Sequence, residues 1–239
     1  MEEKGKVAMV TGATGSLGRS VTKNLLDEGL RVISIYKNDN SQEALLDYLG
    51  PLQAMPDLIQ CDVTVESVVT ETFKKVVQIY GRLDVLVNLV GAYLGGHDVQ
   101  ETSVAEWDAM MSVNLRSAFL CFREALPIMT EQNYGKIVNV AARPALEKRY
   151  RPKNSAYAVS KAGILILTET IAEETKKLNI NINAIVPSTM DTPDNRIKIP
   201  QGDFSKWVSP EDVAKVIVHL ISDDFKVTSG ATIEVYGKA

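Results

Sequence analysis

The chain has 239 residues, a formal net charge of −4, 45% hydrophobic residues and two cysteines. That length suits one large α/β domain with a well-buried sheet, and no Pro/Gly/Ser-rich linker divides residues 1–239. Scattered basic residues on an acidic balance speak against nucleic-acid or anionic-membrane partners, and no apolar run approaches a membrane span. The start, Met-Glu-Glu-Lys-Gly, has no apolar targeting core, so the expectation is a soluble cytoplasmic protein acting on a small molecule. Cys61 and Cys121 lack ligand spacing and read as reduced packing residues, and His97 and His219 stand isolated, which gives no case for a metal.

In chain order, short strand-like runs alternate with amphipathic segments. Strands are expected at residues 7–11, 31–35, 58–60, 83–88, 136–140, 180–186 and 233–235. Helices are expected at residues 17–28, 44–49, 65–80, 104–133, 155–178 and 210–222. This alternation implies a doubly wound parallel sheet of about seven strands with helices on both faces. The irregular stretches, residues 91–102, 143–154 and 188–209, all follow strand C-termini, the edge at which such sheets bind ligands.

Two motifs carry chemistry. After the first strand, Gly12-Ala-Thr14-Gly15-Ser16-Leu17-Gly18 leads into a helix. Glycines there let backbone approach a pyrophosphate while the helix N-terminus supplies N–H groups and positive dipole. An ordinary strand-to-helix turn is the plainer reading. The second motif is Tyr157 and Lys161, four residues apart and therefore on one helix face. A phenol titrates near ~10, and a cation held close favours phenolate, so Lys161 is expected to lower the value for Tyr157. Alone, this spacing is more often a solvated face.

With T-G-x-x-x-G-x-G and Tyr157-x-x-x-Lys161 together, the chain resembles the short-chain dehydrogenase/reductase family over residues 6–237. Further signposts follow in order: Asp62-Val63, Asn88-Leu-Val-Gly91, Trp107 with Asn114, Pro187, and the closing residues 229–235. The resemblance implies a single-domain Rossmann-type fold. It assigns Tyr157 as acid/base, Lys161 as its tuner and ribose ligand, and Asn114 as anchor of a water relay. For the cofactor it implies Gly12, Thr14, Gly15, Ser16, Leu17 and Gly18 around the pyrophosphate, and Asp62 and Val63 at the adenine. It places Asn88 and Gly91 at the adjacent ribose and Pro187 and Thr192 toward the nicotinamide. The family also implies a homodimer or homotetramer built on the helices starting near Val104 and Ser155, where Phe119, Phe122, Ile164 and Leu167 could line either interface or core.

Cofactor choice turns on the end of the second strand, Ile35-Tyr36-Lys37-Asn38. An acid there would accept hydrogen bonds from a ribose diol and repel a 2′-phosphate. Tyr36 occupies that place and Lys37 could pair with phosphate, so NADP(H) is favoured over NAD(H). Lys37 as a solvated turn residue and Asp39 swinging in are the alternatives.

The sequence departs from the family where a serine is expected after the fifth strand: Ala142 stands there. Losing such a donor to a carbonyl oxygen typically costs ~10²–10³ in rate. A conjugated ring whose charge develops on nitrogen needs no such donor. Dihydropteridine reductases share this departure, and Asp191-Thr-Pro-x-Asn-Arg196 resembles their loop, which implies a quinonoid dihydropterin substrate contacted by Ala142, Tyr93 and Trp207. The alternatives are a carbonyl or 3-oxoacyl reductase in which another hydroxyl, Ser155 or Ser188, substitutes, and a catalytically silent nucleotide-binding protein. Lys148-Arg149-Tyr150-Arg151 reads as solvated surface.

Overall fold

The structure is a computed structural model that describes residues 5–51 and 54–238. The side chains of Asp39 and Asn40 lie outside the described ones, and with them the expectation for Asp39. The strands are β1 (Val7–Thr11), β2 (Arg31–Tyr36), β3 (Asp57–Gln60), β4 (Val85–Asn88), β5 (Gly135–Val140), β6 (Ile180–Pro187) and β7 (Thr232–Val235). The helices are α1 (Ser16–Asp27), α2 (Asp39–Leu49), α3 (Glu66–Tyr80), α4 (Val104–Met110), α5 (Ser117–Glu131), α6 (Arg143–Leu146), α7 (Ser155–Glu174), α8 (Pro193–Lys198) and α9 (Pro210–Ile221).

The strands form one seven-stranded sheet in the order β3-β2-β1-β4-β5-β6-β7, parallel throughout. Strands β1, β4, β5 and β6 are buried along their whole length, as expected of parallel strands covered on both faces. In β1 the side chains alternate between two cores. Val7 and Met9 join α3, α5 and α7 on one face, whereas Ala8 and Val10 join α1, α2 and α9 on the other. The order reverses between β1 and β4, which opens a crevice at the carboxyl edge where the loops after β1 and β4 diverge.

Several expected boundaries move. The helix expected over residues 104–133 is α4 and α5 joined by a π-helical turn, Met111–Arg116, that contains Asn114. Hydrophobic periodicity runs through such a turn and does not reveal it. Helix α2 begins at Asp39, five residues before the expected 44. The loop over residues 143–154 contains α6 and a 3₁₀ turn at Lys148–Tyr150, and the one over residues 188–209 contains α8 and a second 3₁₀ turn at Phe204–Lys206. Phe122 and Ile164 belong to the core, while Phe119 is 45% exposed. Among the described residues no helix is long and apolar enough to cross a membrane, and no His/Cys/Asp/Glu group could hold a metal ion.

At the opposite edge from the crevice, Asp84 joins the starts of β1 and β4. It is fully buried, receives the Val7 N–H at 2.8 Å and takes both arms of Arg82, Nε at 2.7 Å and an Nη at 2.6 Å. Removing the carboxylate strands a buried donor and a guanidinium. Asp84→Ala is expected to lower unfolding free energy by about 3 kcal/mol in a denaturant titration, with binding at the distant crevice unchanged in the folded fraction.

Candidate active site

The turn between β1 and α1 is shaped by close backbone contact. Gly12 has φ +66°, and a Cβ on Gly18 would lie 2.2 Å from the Gly12 carbonyl oxygen and 2.6 Å from Ala13 Cα, so α1 can seat on the turn only with glycine at both places. Gly15 is different: its φ is −70° and a Cβ there would meet nothing closer than 3.5 Å. Its backbone does not demand glycine. No side chain caps α1, and its first turn carries no acid. A bare, uncapped helix N-terminus of this kind fits a pyrophosphate. Leu17 turns into the core and offers only backbone there, while Thr14 and Ser16 are partly exposed.

At the end of β2, Lys37 Nζ lies 2.8 Å from Asp62 Oδ2, and Asp62 Oδ1 accepts from the Thr64 N–H at 3.0 Å and hydroxyl at 2.7 Å. Burial alone would raise the Asp62 carboxyl, but Lys37 and Thr64 hold it below its ordinary range. Lys37 is therefore engaged by a carboxylate rather than standing free. Tyr36 closes β2 beside it, and Val63 is buried.

Tyr157 and Lys161 lie on the first turns of α7. Lys161 is 5% exposed and donates from Nζ to the Val140 carbonyl at the end of β5, 2.9 Å away. Burial pulls its ammonium down from 10.5 to about 8. The Tyr157 phenol is pushed up to about 12, by burial and secondarily by the neighbouring Tyr93. The expected lowering of Tyr157 by Lys161 does not occur in this arrangement, because desolvation governs both groups and the ammonium faces a carbonyl.

Asn114, on the π-helical turn, is fully buried; its Oδ1 accepts from Ala92 N–H at 2.8 Å, and its Nδ2 donates to Ala92 O at 3.1 Å and Ser160 Oγ at 3.0 Å. It thus braces the loop after β4 against α7. A Cβ on Gly91 would lie 2.9 Å from both Asn114 Oδ1 and Lys161 Nζ, so this glycine admits the lysine. Beneath them runs a buried hydrogen-bond chain that the sequence reading missed. Asn88 Nδ2 donates to Asn139 Oδ1 at 3.0 Å across registered β4 and β5, Asn139 Nδ2 donates to Thr168 Oγ1 at 3.0 Å, and Thr168 Oγ1 donates to Ile164 O at 2.8 Å. Its signal was a polar Asn139 between the apolar Val138 and Val140 of β5. Among the described residues Asn88 Oδ1 is buried without a partner.

A family model described as short chain dehydrogenase matches residues 6–201. The chain belongs to the short-chain dehydrogenase family. It is similar to a 3-oxoacyl-[acyl-carrier-protein] reductase of Thermotoga maritima, 34% identical across 99% of this chain and 98% of that protein. Among solved structures it is similar to ElxO with NADP bound, with a TM-score of 0.90 and 27% identity, covering 98% of each chain. It is likewise similar to a variant of actinorhodin polyketide ketoreductase with NADPH, with a TM-score of 0.90 and 26% identity, covering 98% of this chain and 96% of that one.

Within this short-chain dehydrogenase, Ala142 is buried at the start of α6, and of the two serines considered as substitutes Ser188 is engaged. Ser188 donates to Tyr236 O at 2.9 Å, and Ser155 lies 3.5 Å from the Thr102 hydroxyl. Tyr93 sets its ring edge-on to that of Tyr157, centroids 5.0 Å apart, and donates its hydroxyl to Asn154 Oδ1 at 2.8 Å. Trp207 packs within its own loop, edge-on to Phe204 at 4.8 Å and directly over Gly202. Thr192 is buried and caps α8 by accepting from Asn195 N–H at 3.2 Å, and Pro187 ends β6 opposite Val235. The basic cluster is exposed at all four of residues 148–151, and two of its arginines bind within the loop. Arg151 donates to the carbonyls of Pro144, Ala145 and Leu146, and Arg149 pairs with Glu147 at 2.8 Å.

Thr168 fixes how α7 sits on β5. Thr168→Val removes the acceptor for Asn139 at nearly constant volume, which is expected to lower turnover about tenfold through misplacement of Tyr157 and Lys161. Thr168→Ser should restore it. Steady-state kinetics beside thermal melting separate this from simple destabilisation.

Proposed function

We propose that this short-chain dehydrogenase is an NAD(P)H-dependent reductase of carbonyl compounds in which Tyr157 delivers the proton. The observation that carries this reading is the pair on α7 at the sheet's crevice: half-buried Tyr157, its phenol pushed up to about 12 and hence protonated at neutral pH, and one turn on the buried ammonium of Lys161. When bound, the reduced nicotinamide supplies a hydride to the carbonyl carbon. Tyr157 holds its proton for the oxygen that gains charge, an alkoxide far more basic than a phenol. Lys161, one turn along α7, stays cationic near neutrality, and its charge favours the phenolate left behind by the transfer. The uncapped start of α1 takes the pyrophosphate, Asn88 and Gly91 the adjoining ribose, and Thr192 the carboxamide side. Two compared proteins named as a 3-oxoacyl reductase and a ketoreductase support the carbonyl class.

The conjugated-ring reading, with quinonoid dihydropterin as its example, is favoured by one observation: Ala142 in place of a hydroxyl donor. Oxidation of NADPH and NADH by the purified protein is to be followed with a 3-oxoacyl ester, simple cyclic ketones and quinonoid dihydropterin as acceptors. Ketone turnover that falls by at least 10³ in Tyr157→Phe, with cofactor affinity retained, is the expected result. Turnover of the pterin alone would replace the carbonyl reading, and cofactor binding without turnover on any acceptor would make the chain a silent binder.

NADPH is the preferred cofactor in this proposal, with Lys37 exchanging Asp62 for the 2′-phosphate. A charge-assisted hydrogen bond is worth about 1.5–3 kcal/mol, so Lys37→Ala is expected to raise KM for NADPH roughly tenfold to a hundredfold. The KM for NADH should move little. Equal effects on both cofactors would assign Lys37 to the Asp62 pair alone.

A further inference from the structure

We infer that Tyr93 supplies the hydrogen bond to the substrate oxygen that Ala142 cannot, so that the site works with two phenols in place of a phenol and a serine. The inference rests on the carbonyl reading. A reducible carbonyl accumulates negative charge on oxygen while the hydride arrives, and a donor aimed at that oxygen typically contributes ~10²–10³ in rate. Ala142 has none to offer. Ser188 donates to Tyr236 O, Ser160 donates to Tyr157 O, and Ser155 lies against Thr102.

Tyr93 is the hydroxyl-bearing side chain in ring contact with Tyr157, at 5.0 Å and an interplanar angle of 89°. It is 49% exposed at the mouth of the crevice, and its hydroxyl is a donor already, directed at Asn154 Oδ1 at 2.8 Å. Asn154 stands just before α7, one turn ahead of Tyr157, so the Tyr93 hydroxyl is held at the N-terminal end of the helix that carries Tyr157. The place is also built for it: a Cβ on Gly95 would lie 3.2 Å from Tyr93 Oη and 2.6 Å from Asn154 Oδ1. Releasing Asn154 forfeits a neutral hydrogen bond of only about 1 kcal/mol at a wet surface. A substrate oxygen can therefore exchange for it. Tyr93 donates without losing its proton, the proton that is transferred comes from Tyr157, and the hydride from the reduced cofactor completes the reduction.

The test compares kcat and KM for a ketone or 3-oxoacyl ester, with NADPH in excess, in the full chain and three variants. Tyr93→Phe keeps the ring and should lose about 10²-fold in kcat at unchanged melting temperature and cofactor affinity. Adding Ala142→Ser to Tyr93→Phe should recover at least tenfold, since it restores a donor from the other wall, an effect no loop prop would show. Asn154→Ala, which frees the Tyr93 hydroxyl, should stay within a few fold of the parent. Full activity in Tyr93→Phe, absence of rescue by Ala142→Ser, or a loss in Asn154→Ala equal to that in Tyr93→Phe would each overturn the inference. A parent protein that reduces no carbonyl removes the functional proposal and this inference together, whereas ketone turnover undiminished in Tyr93→Phe removes the inference alone.

Discussion

The rest of the site is arranged around a lysine ammonium kept out of water. Lys161 is 5% exposed and rests on the Val140 carbonyl, and burial draws its pKa down to about 8. An ion in that position is tolerated only where neighbours supply oxygen and leave it room. Gly91 leaves the room, since any side chain there would meet Nζ. The end of β5 supplies the oxygen. The same desolvation acts on Tyr157 in the opposite chemical sense, holding the phenol protonated. The crevice thus holds a protonated phenol and, one turn along α7, a buried cation.

What holds that pair in place is polar, inside a sheet whose core is mostly apolar. Asn88, Asn139 and Thr168 link the crevice side of β4 to α7 through β5, and Asn114 and Ser160 link the loop after β4 to the same helix. Apolar side chains would fill these places with less desolvation, but they slide. Directional hydrogen bonds set the rotation and depth of α7, and Tyr157 and Lys161 inherit both.

The fold was largely legible because parallel strands buried on both faces read as continuous apolar runs, and each of the seven expected runs overlaps an observed strand. The glycine turn was legible for a steric reason, at Gly12 and Gly18. Less was readable where tertiary context overrides the local pattern. The π-helical turn at Asn114 leaves hydrophobic periodicity intact, and the Lys37 to Asp62 ion pair joins residues from separate loops. The direction of the Tyr157 shift depends on burial depth, which the spacing of Tyr157 and Lys161 does not encode. Trp207, an attractive aromatic in sequence, packs against Phe204 in its own loop.

The loop between β5 and α7 is itself structured. Arg143, next to Ala142, is 9% exposed, pairs with Glu147 at 2.6 Å and lies over the rings of Tyr150 at 4.6 Å and Tyr236 at 4.2 Å. Arg151 closes the far end by donating to the last carbonyls of α6. Asn154 Nδ2 then donates back to Tyr150 O at 2.9 Å and Pro152 O at 3.2 Å, which leaves Oδ1 directed at Tyr93. The loop is thus a small charged scaffold that ends, at Asn154, against the Tyr93 hydroxyl.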